Sequence, residues 1–116
     1  MSGRHSRNKG SRGEREAAAV LTELTGYTWE RSIGQTRRGG SEVPDVASVE
    51  WPHVHVEVKR GKAIGLWGAL RQAVDDAGDS GRTPVVMARR DREGWVLVVR
   101  LEDVGDLNGL LEALDS

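Results

Sequence analysis

Asp45 and the pair Glu57 and Lys59 are the residues of this chain best suited to chemistry. Asp45 follows Pro44, and after eleven intervening residues comes Glu57-Val58-Lys59. If both segments are strands, Glu57 and Lys59 share one face while Val54, Val56 and Val58 take the other. Two acids and a lysine at the border of a core are costly unless an ion or a reaction uses them. Phosphodiester hydrolysis would use them, because it needs an activated water and positive charge beside the attacked phosphate. One or two Mg²⁺ ions meet both needs when carboxylates and a backbone carbonyl hold them. Asp45 and Glu57 offer the carboxylates, the Val58 carbonyl is a candidate third ligand, and Lys59 would stand beside the attacking water.

Other residues carry two readings each. Glu14 falls on the helical face of Ala17, Ala18 and Leu21, from which a carboxylate reaches a sheet; it is also the third helical position of a capping box opened by Ser11. Gln72 flanks the apolar face of a later helix, where it either approaches the site or is solvated. His55 shares the face of Glu57 and Lys59. His53 and His55 alternate as a metal pair would, but without a third histidine or any cysteine a zinc site is not expected. Arg37 and Arg38 sit in a glycine-rich stretch, placed either for phosphates or for solubility. Trp29, Trp51, Trp67 and Trp95 are read as core or interface anchors in preference to base-stacking platforms. No P-loop, dinucleotide fingerprint or nucleophile elbow is present.

The elements that must position these residues follow from periodicity and punctuation. Residues 1–10 read as a flexible basic arm and 11–116 as a single domain. A helix runs from Ser11 with Ala17, Ala18, Leu21 and Leu24 on its stripe and stops at Gly26. Strands are expected over 27–33, 43–49 and 53–59, with a mobile loop at 34–42 and a turn at Trp51-Pro52. A second helix carries Leu66, Ala69, Leu70, Ala73, Val74 and Ala77. Residues 84–88 form a continuous apolar strand suited to a sheet centre, 95–100 another strand, and Leu107, Leu110, Leu111 and Leu114 mark a last helix. The order αβββαββα implies an α/β fold, one mixed sheet flanked by helices.

The chain has 116 residues, enough for one core. It has no cysteine, which removes disulfides, thiolate zinc sites and cysteine nucleophiles and fits a reducing, cytoplasmic setting. No apolar run approaches the ~18 residues of a membrane span, and no apolar segment follows the basic start as a secretory signal requires. Net charge is −1, yet it is unevenly spread. Arg4, Arg7, Lys9 and Arg12 open the chain without an acid, and the segment from Leu101 holds five acids without a Lys or Arg. One end can meet phosphates that the other repels.

The segment Lys9-Gly10-Ser11-Arg12-Gly13-Glu14-Arg15-Glu16, then Trp29-Glu30-Arg31-Ser32, Pro44-Asp45-Val46 and Val56-Glu57-Val58-Lys59, resembles PD-(D/E)xK nucleases. Within them it is similar to the Holliday junction resolvases of archaea and phages, over about residues 9–99. The resemblance implies a restriction-endonuclease-like fold and a Mg²⁺-dependent endonuclease, with Mn²⁺ able to substitute. It implies catalytic and metal roles for Glu14, Asp45, Glu57 and Lys59. Arg15 and Arg31 match family arginines that contact DNA or are needed for activity. Ser41 lies near a family serine, and Gln72 matches a helical glutamine near the metal, although Asp76 stands where an aromatic often follows it. With Lys9, Arg12, Arg37 and Arg38, these make the expected DNA-binding set. The implied partners are a four-way DNA junction, whose two-fold symmetry suits paired nicks, and a second copy of the chain.

Overall fold

The computed structural model describes residues 3–32 and 43–115, with side chains from Arg12 onward. The chain runs α1 (Gly3–Thr25), β1 (Glu30–Arg31), β2 (Val46–Ala47), β3 (Val54–Gly61), α2 (Leu66–Ala77), β4 (Thr83–Arg90), β5 (Val96–Val99) and α3 (Asn108–Asp115). Short 3₁₀ turns at Gly78–Ser80 and Leu101–Leu107 lead into β4 and α3. The five strands form one sheet in sequence order. Pairing is antiparallel except for β3 and β4, which run parallel and are joined through α2. This is the restriction-endonuclease-like mixed sheet with the expected order αβββαββα. No helix among the described residues is long and apolar enough to cross a membrane.

The central strand is β3, buried from Val54 to Val58 on both faces, and β4 lies beside it, one strand in from the edge. One face of the sheet packs on α1 and α3, where Ala17, Leu21, Leu107 and Leu110 meet Val54, Val56, Val58, Val85 and Met87. The other face packs on α2, where Ala69, Leu70 and Ala73 meet Val86 and Ala88. The β3–β4 register pairs His55 with Pro84, Glu57 with Val86 and Lys59 with Ala88. Alternation therefore sends these three polar side chains to the α2 face, whose small alanines leave them room.

Helix α1 begins at Gly3, about two turns before the Ser11 start expected from the capping box. Ser11 and Glu14 are interior to the helix, so capping no longer accounts for Glu14, and the basic segment read as an arm is carried largely on the helix. Its Arg, Asn and Lys residues are compatible with helix, and Gly10 and Gly13 are tolerated. Gly13 is buried because α1 crosses β3 closely; a Cβ there would stand 3.1 Å from Arg60 Cβ. Leu24, expected on the apolar stripe, is 47% exposed, and Thr25 takes the buried position. Gly26, at φ +78°, ends the helix and donates to the Thr22 carbonyl.

The first two strands are shorter than the residue pattern suggests. Tyr27 and Trp29 donate their backbone N–H groups to the hydroxyls of Thr25 and Thr22, and the Trp29 indole also donates to Thr25 Oγ1. The helix end thus satisfies a segment that would otherwise need a strand partner. In the second, Ser48 turns the chain by accepting from the N–H groups of Trp51 and Glu50.

Candidate active site

β2 pairs with β3 through Val46 and Val56 and then peels away. At that fork Asp45 stays attached by both its backbone and its side chain. Its N–H donates to the Val56 carbonyl, and its Oδ2 accepts the Val58 N–H at 2.9 Å. The carboxylate has replaced a backbone acceptor, and so it is held beside Glu57 and Lys59. Lys59 makes no ion pair with a carboxylate among the described residues.

Burial is the largest influence on Asp45, whose pKa is raised to about 7; Glu57 raises it further, as does Glu14 to a lesser degree. The Val58 N–H and the Lys59 ammonium oppose this without cancelling it. Three acids thus bear on one another with too little positive charge between them. This electrostatic excess, in an all-oxygen donor set, is what a divalent cation relieves. The residues present therefore fit a hard cation of the Mg²⁺ or Mn²⁺ type.

Glu14 reaches the fork from α1. Its Oε1 accepts from Arg31 Nε at 3.0 Å, and Arg31 is fixed on β1 by pairing with Val46. The two outer strands thus bring a cation to the first helix and orient its carboxylate.

Glu57 is 3% exposed and lies on the α2 side. His55, fully buried, places Nε2 3.3 Å from Glu57 Oε1. Asp76, from α2, closes the group: the ligand atoms of His55, Glu57 and Asp76 lie within 4.8 Å of one another. His55 Nδ1 has no hydrogen-bond partner among the described residues, so Nε2, at Glu57, makes the ring's polar contact. The alternation of β3 placed His55 near the site, but nothing in the sequence pointed to Asp76, which reaches it only through the packing of α2. His53 does not join this group; it is exposed and lies beside the ring of Trp51.

Residues 5–113 match the family described as "Phage putative PDDEXK endonuclease". The chain belongs to this endonuclease family. The PDDEXK fold has a solved counterpart in Hjc of Archaeoglobus fulgidus, a Holliday junction resolvase from an archaeal hyperthermophile. It superimposes with a TM-score of 0.55 at 22% identity, over 78% of this chain and 72% of Hjc. Two glycine cleavage system H proteins are also similar in sequence. That of Opitutus terrae is 31% identical over 96 residues, covering 72% of this chain and 76% of its own. That of Phenylobacterium zucineum is 30% identical over 93 residues, covering 70% and 77%. The fold and the acids gathered at the β2–β3 fork accord with the PDDEXK family.

The remaining expected residues of this PDDEXK chain are spread around the fork. Gln72 lines an open cleft of about 300 Å³ together with Lys59, Arg60 and Ala69. Arg12 and Arg15 are exposed on α1. Lys9 lies on the same helix, its side chain outside the described residues, as are Arg37, Arg38 and Ser41 altogether. Glu16, two residues beyond Glu14, was not singled out and serves differently. It pairs with Arg89, accepts the Trp95 indole N–H at 3.0 Å and lies 3.6 Å from Arg60 Nε. Two residues apart on a helix, the two acids diverge by about 200°, so one serves the fork and the other ties α1 to the ends of β3 and β4.

Proposed function

We propose that this chain is a divalent-metal-dependent DNA endonuclease that resolves four-way junctions by paired symmetric nicks, acting as a homodimer. The observation that carries this reading is the convergence of Asp45, Glu57 and Glu14 at the strand fork, with Lys59 alongside and Asp45 pushed to about 7. Asp45, Glu57 and the Val58 carbonyl, supported by Glu14, would hold Mg²⁺ or Mn²⁺. When bound, the ion supplies an acidified water and counter-charge for the attacked phosphate.

The other parts belong to the chain itself. Asp45 uses Oδ2 on the Val58 N–H, and its carboxylate would still have an oxygen to offer a cation. His55 restrains the Glu57 carboxylate, so its orientation is set before any ligand arrives. Lys59 directs its ammonium at the water that attacks phosphorus and at the charge that grows as the P–O bond to the leaving oxygen breaks. Arg31 keeps Glu14 turned to the fork. Arg12, Arg15, Arg37 and Arg38, with Lys9, Ser41 and Gln72, are assigned to the DNA. The likeness to Hjc supports the choice of a junction as substrate, and a two-fold dimer would present two such forks to opposing strands.

Synthetic four-way junction, blunt duplex and flap DNA, incubated in Mg²⁺ and in EDTA, test the reading. Symmetric nicking of the junction in Mg²⁺ alone is expected. Equal cutting of plain duplex would overturn the resolvase assignment and leave a nuclease of broader substrate range. Asp45→Asn is expected to abolish cleavage and retain junction binding. Cleavage by Asp45→Asn at the native rate would refute the assigned site.

A further inference from the structure

Three of the four tryptophans pack into the protein. Trp29 is 3% exposed, and Trp51 and Trp95 lie against the core beneath α1 and α3. Trp67 does not: it is 78% exposed on the first turn of α2, with the neighbouring Leu66 39% exposed. An indole left in water forgoes a large apolar burial.

Its position connects it to the fork. Gly65 and Gly68, which bracket Trp67, both line the cleft that contains Lys59 and Gln72. A Cβ on Gly65 would meet nothing within 4 Å, and one on Gly68 only the Arg71 guanidinium at 3.8 Å. At these two positions beside Trp67 the cleft wall is therefore bare backbone, open to a ligand. Two cations flank the indole along the chain. Lys62, five residues before Trp67, and Arg71, one helical turn after it, are exposed, and no acid lines the cleft among the described residues.

An exposed aromatic plane with exposed cations near it and bare backbone in the adjoining cleft suits a polyanion with flat faces. We infer that Trp67 is a stacking platform for an unpaired nucleobase of the DNA strand whose phosphate lies at Lys59, with Lys62 and Arg71 meeting the flanking phosphates. This rests on the nuclease reading and deepens it. In a duplex the faces of each base are covered by its neighbours, so only branch points, flaps and single strands offer one to the indole. Trp67 would thereby favour branched DNA over plain duplex. A second copy of the chain is a poorer occupant, because two-fold contact through this patch would set Lys62 and Arg71 against their own equivalents.

The experiment compares wild type, Trp67→Ala and Trp67→Phe as full chains, each verified by circular dichroism and sedimentation. The probes are a single-stranded oligonucleotide carrying 2-aminopurine, a four-way junction and a blunt duplex, in Ca²⁺ so that binding is read apart from cleavage. Aminopurine emission should be quenched by wild type and by Trp67→Phe. Trp67→Ala should lose the quenching and bind single strand and junction about ten- to a hundredfold more weakly, with duplex affinity unchanged. Native affinity of Trp67→Ala for the single strand, or an equal loss on duplex, would overturn the inference. So would a dimer that becomes monomeric in Trp67→Ala, which would make the patch a subunit contact. A wild type that nicks junctions without any dependence on Trp67 refutes the platform alone. A wild type that binds and cuts no DNA refutes the nuclease reading as well.

Discussion

Asp45 titrates where it can be used. Its carboxyl is raised from 3.8 to about 7, by burial first and by Glu57 next. Between those values the folded chain holds a proton that the unfolded chain has released. The metal-free protein should therefore lose stability as pH rises from about 4 to about 7, with no further change from this group above that. Asp45→Asn keeps an oxygen for the Val58 N–H and removes the charge. It should raise metal-free stability at pH 8 by on the order of 1–3 kcal/mol, and the gain should vanish near pH 4, as denaturant melts at the two pH values would reveal. A cation must displace the same proton. Calorimetric Mn²⁺ affinity should accordingly weaken about tenfold per pH unit below 7 and level off above it. His55 belongs to the same balance. His55→Leu leaves the Glu57 carboxylate buried without its imidazole partner and should cost about 3 kcal/mol; His55→Gln, which keeps a polar group there, should recover part of that in thermal unfolding. Asp45, Glu57 and Lys59 were legible because strand alternation and a short spacing are local facts. Asp76 was not, since it meets Glu57 only once α2 has crossed from β3 to β4.

At the scale of elements, the order of helices and strands could be read from the residues and the strand lengths could not. Periodicity marks an apolar face but does not say which partner takes the backbone N–H groups. Thr22 and Thr25 take those of Tyr27 and Trp29, so β1 is reduced to Glu30–Arg31. The start of α1 was misplaced for a related reason: Ser11 to Glu14 has the pattern of a cap, yet the helix continues through it to Gly3. Helix α1 then depends on Glu16 for its attachment to the far ends of β3 and β4. Glu16→Ala takes the acceptor from Arg89 Nη1 and from the Trp95 indole, while Arg60 keeps Asp91, and should cost about 1–3 kcal/mol in chemical denaturation. Because the fork is reached by Glu14 on another side of the helix, the variant's junction nicking at low temperature should stay near native.

For the whole molecule, the spread of charge along the chain says more than its sum. The basic residues of α1 lie at one end of the sequence and the acids from Glu102 to Asp115 at the other. If α1 lies along DNA, each cation on it displaces a counterion. Junction affinity should fall with the logarithm of salt concentration, and Arg12→Ala with Arg15→Ala together should reduce that slope by about 2. Titrations by fluorescence anisotropy across a salt series would measure it; an unchanged slope would remove α1 from the interface.

The single hydrogen bond from the Val58 N–H to Asp45 has one more consequence. It makes a side chain of the candidate site part of the sheet's own wiring, so that the outer strands are fastened to the centre by a group whose charge varies. Whatever protonates or engages that carboxylate alters the strength of one amide's attachment. The Val58 amide is therefore a built-in sensor: its exchange with deuterated water should slow or quicken with the occupancy of the fork, and report on the site without any label or substrate.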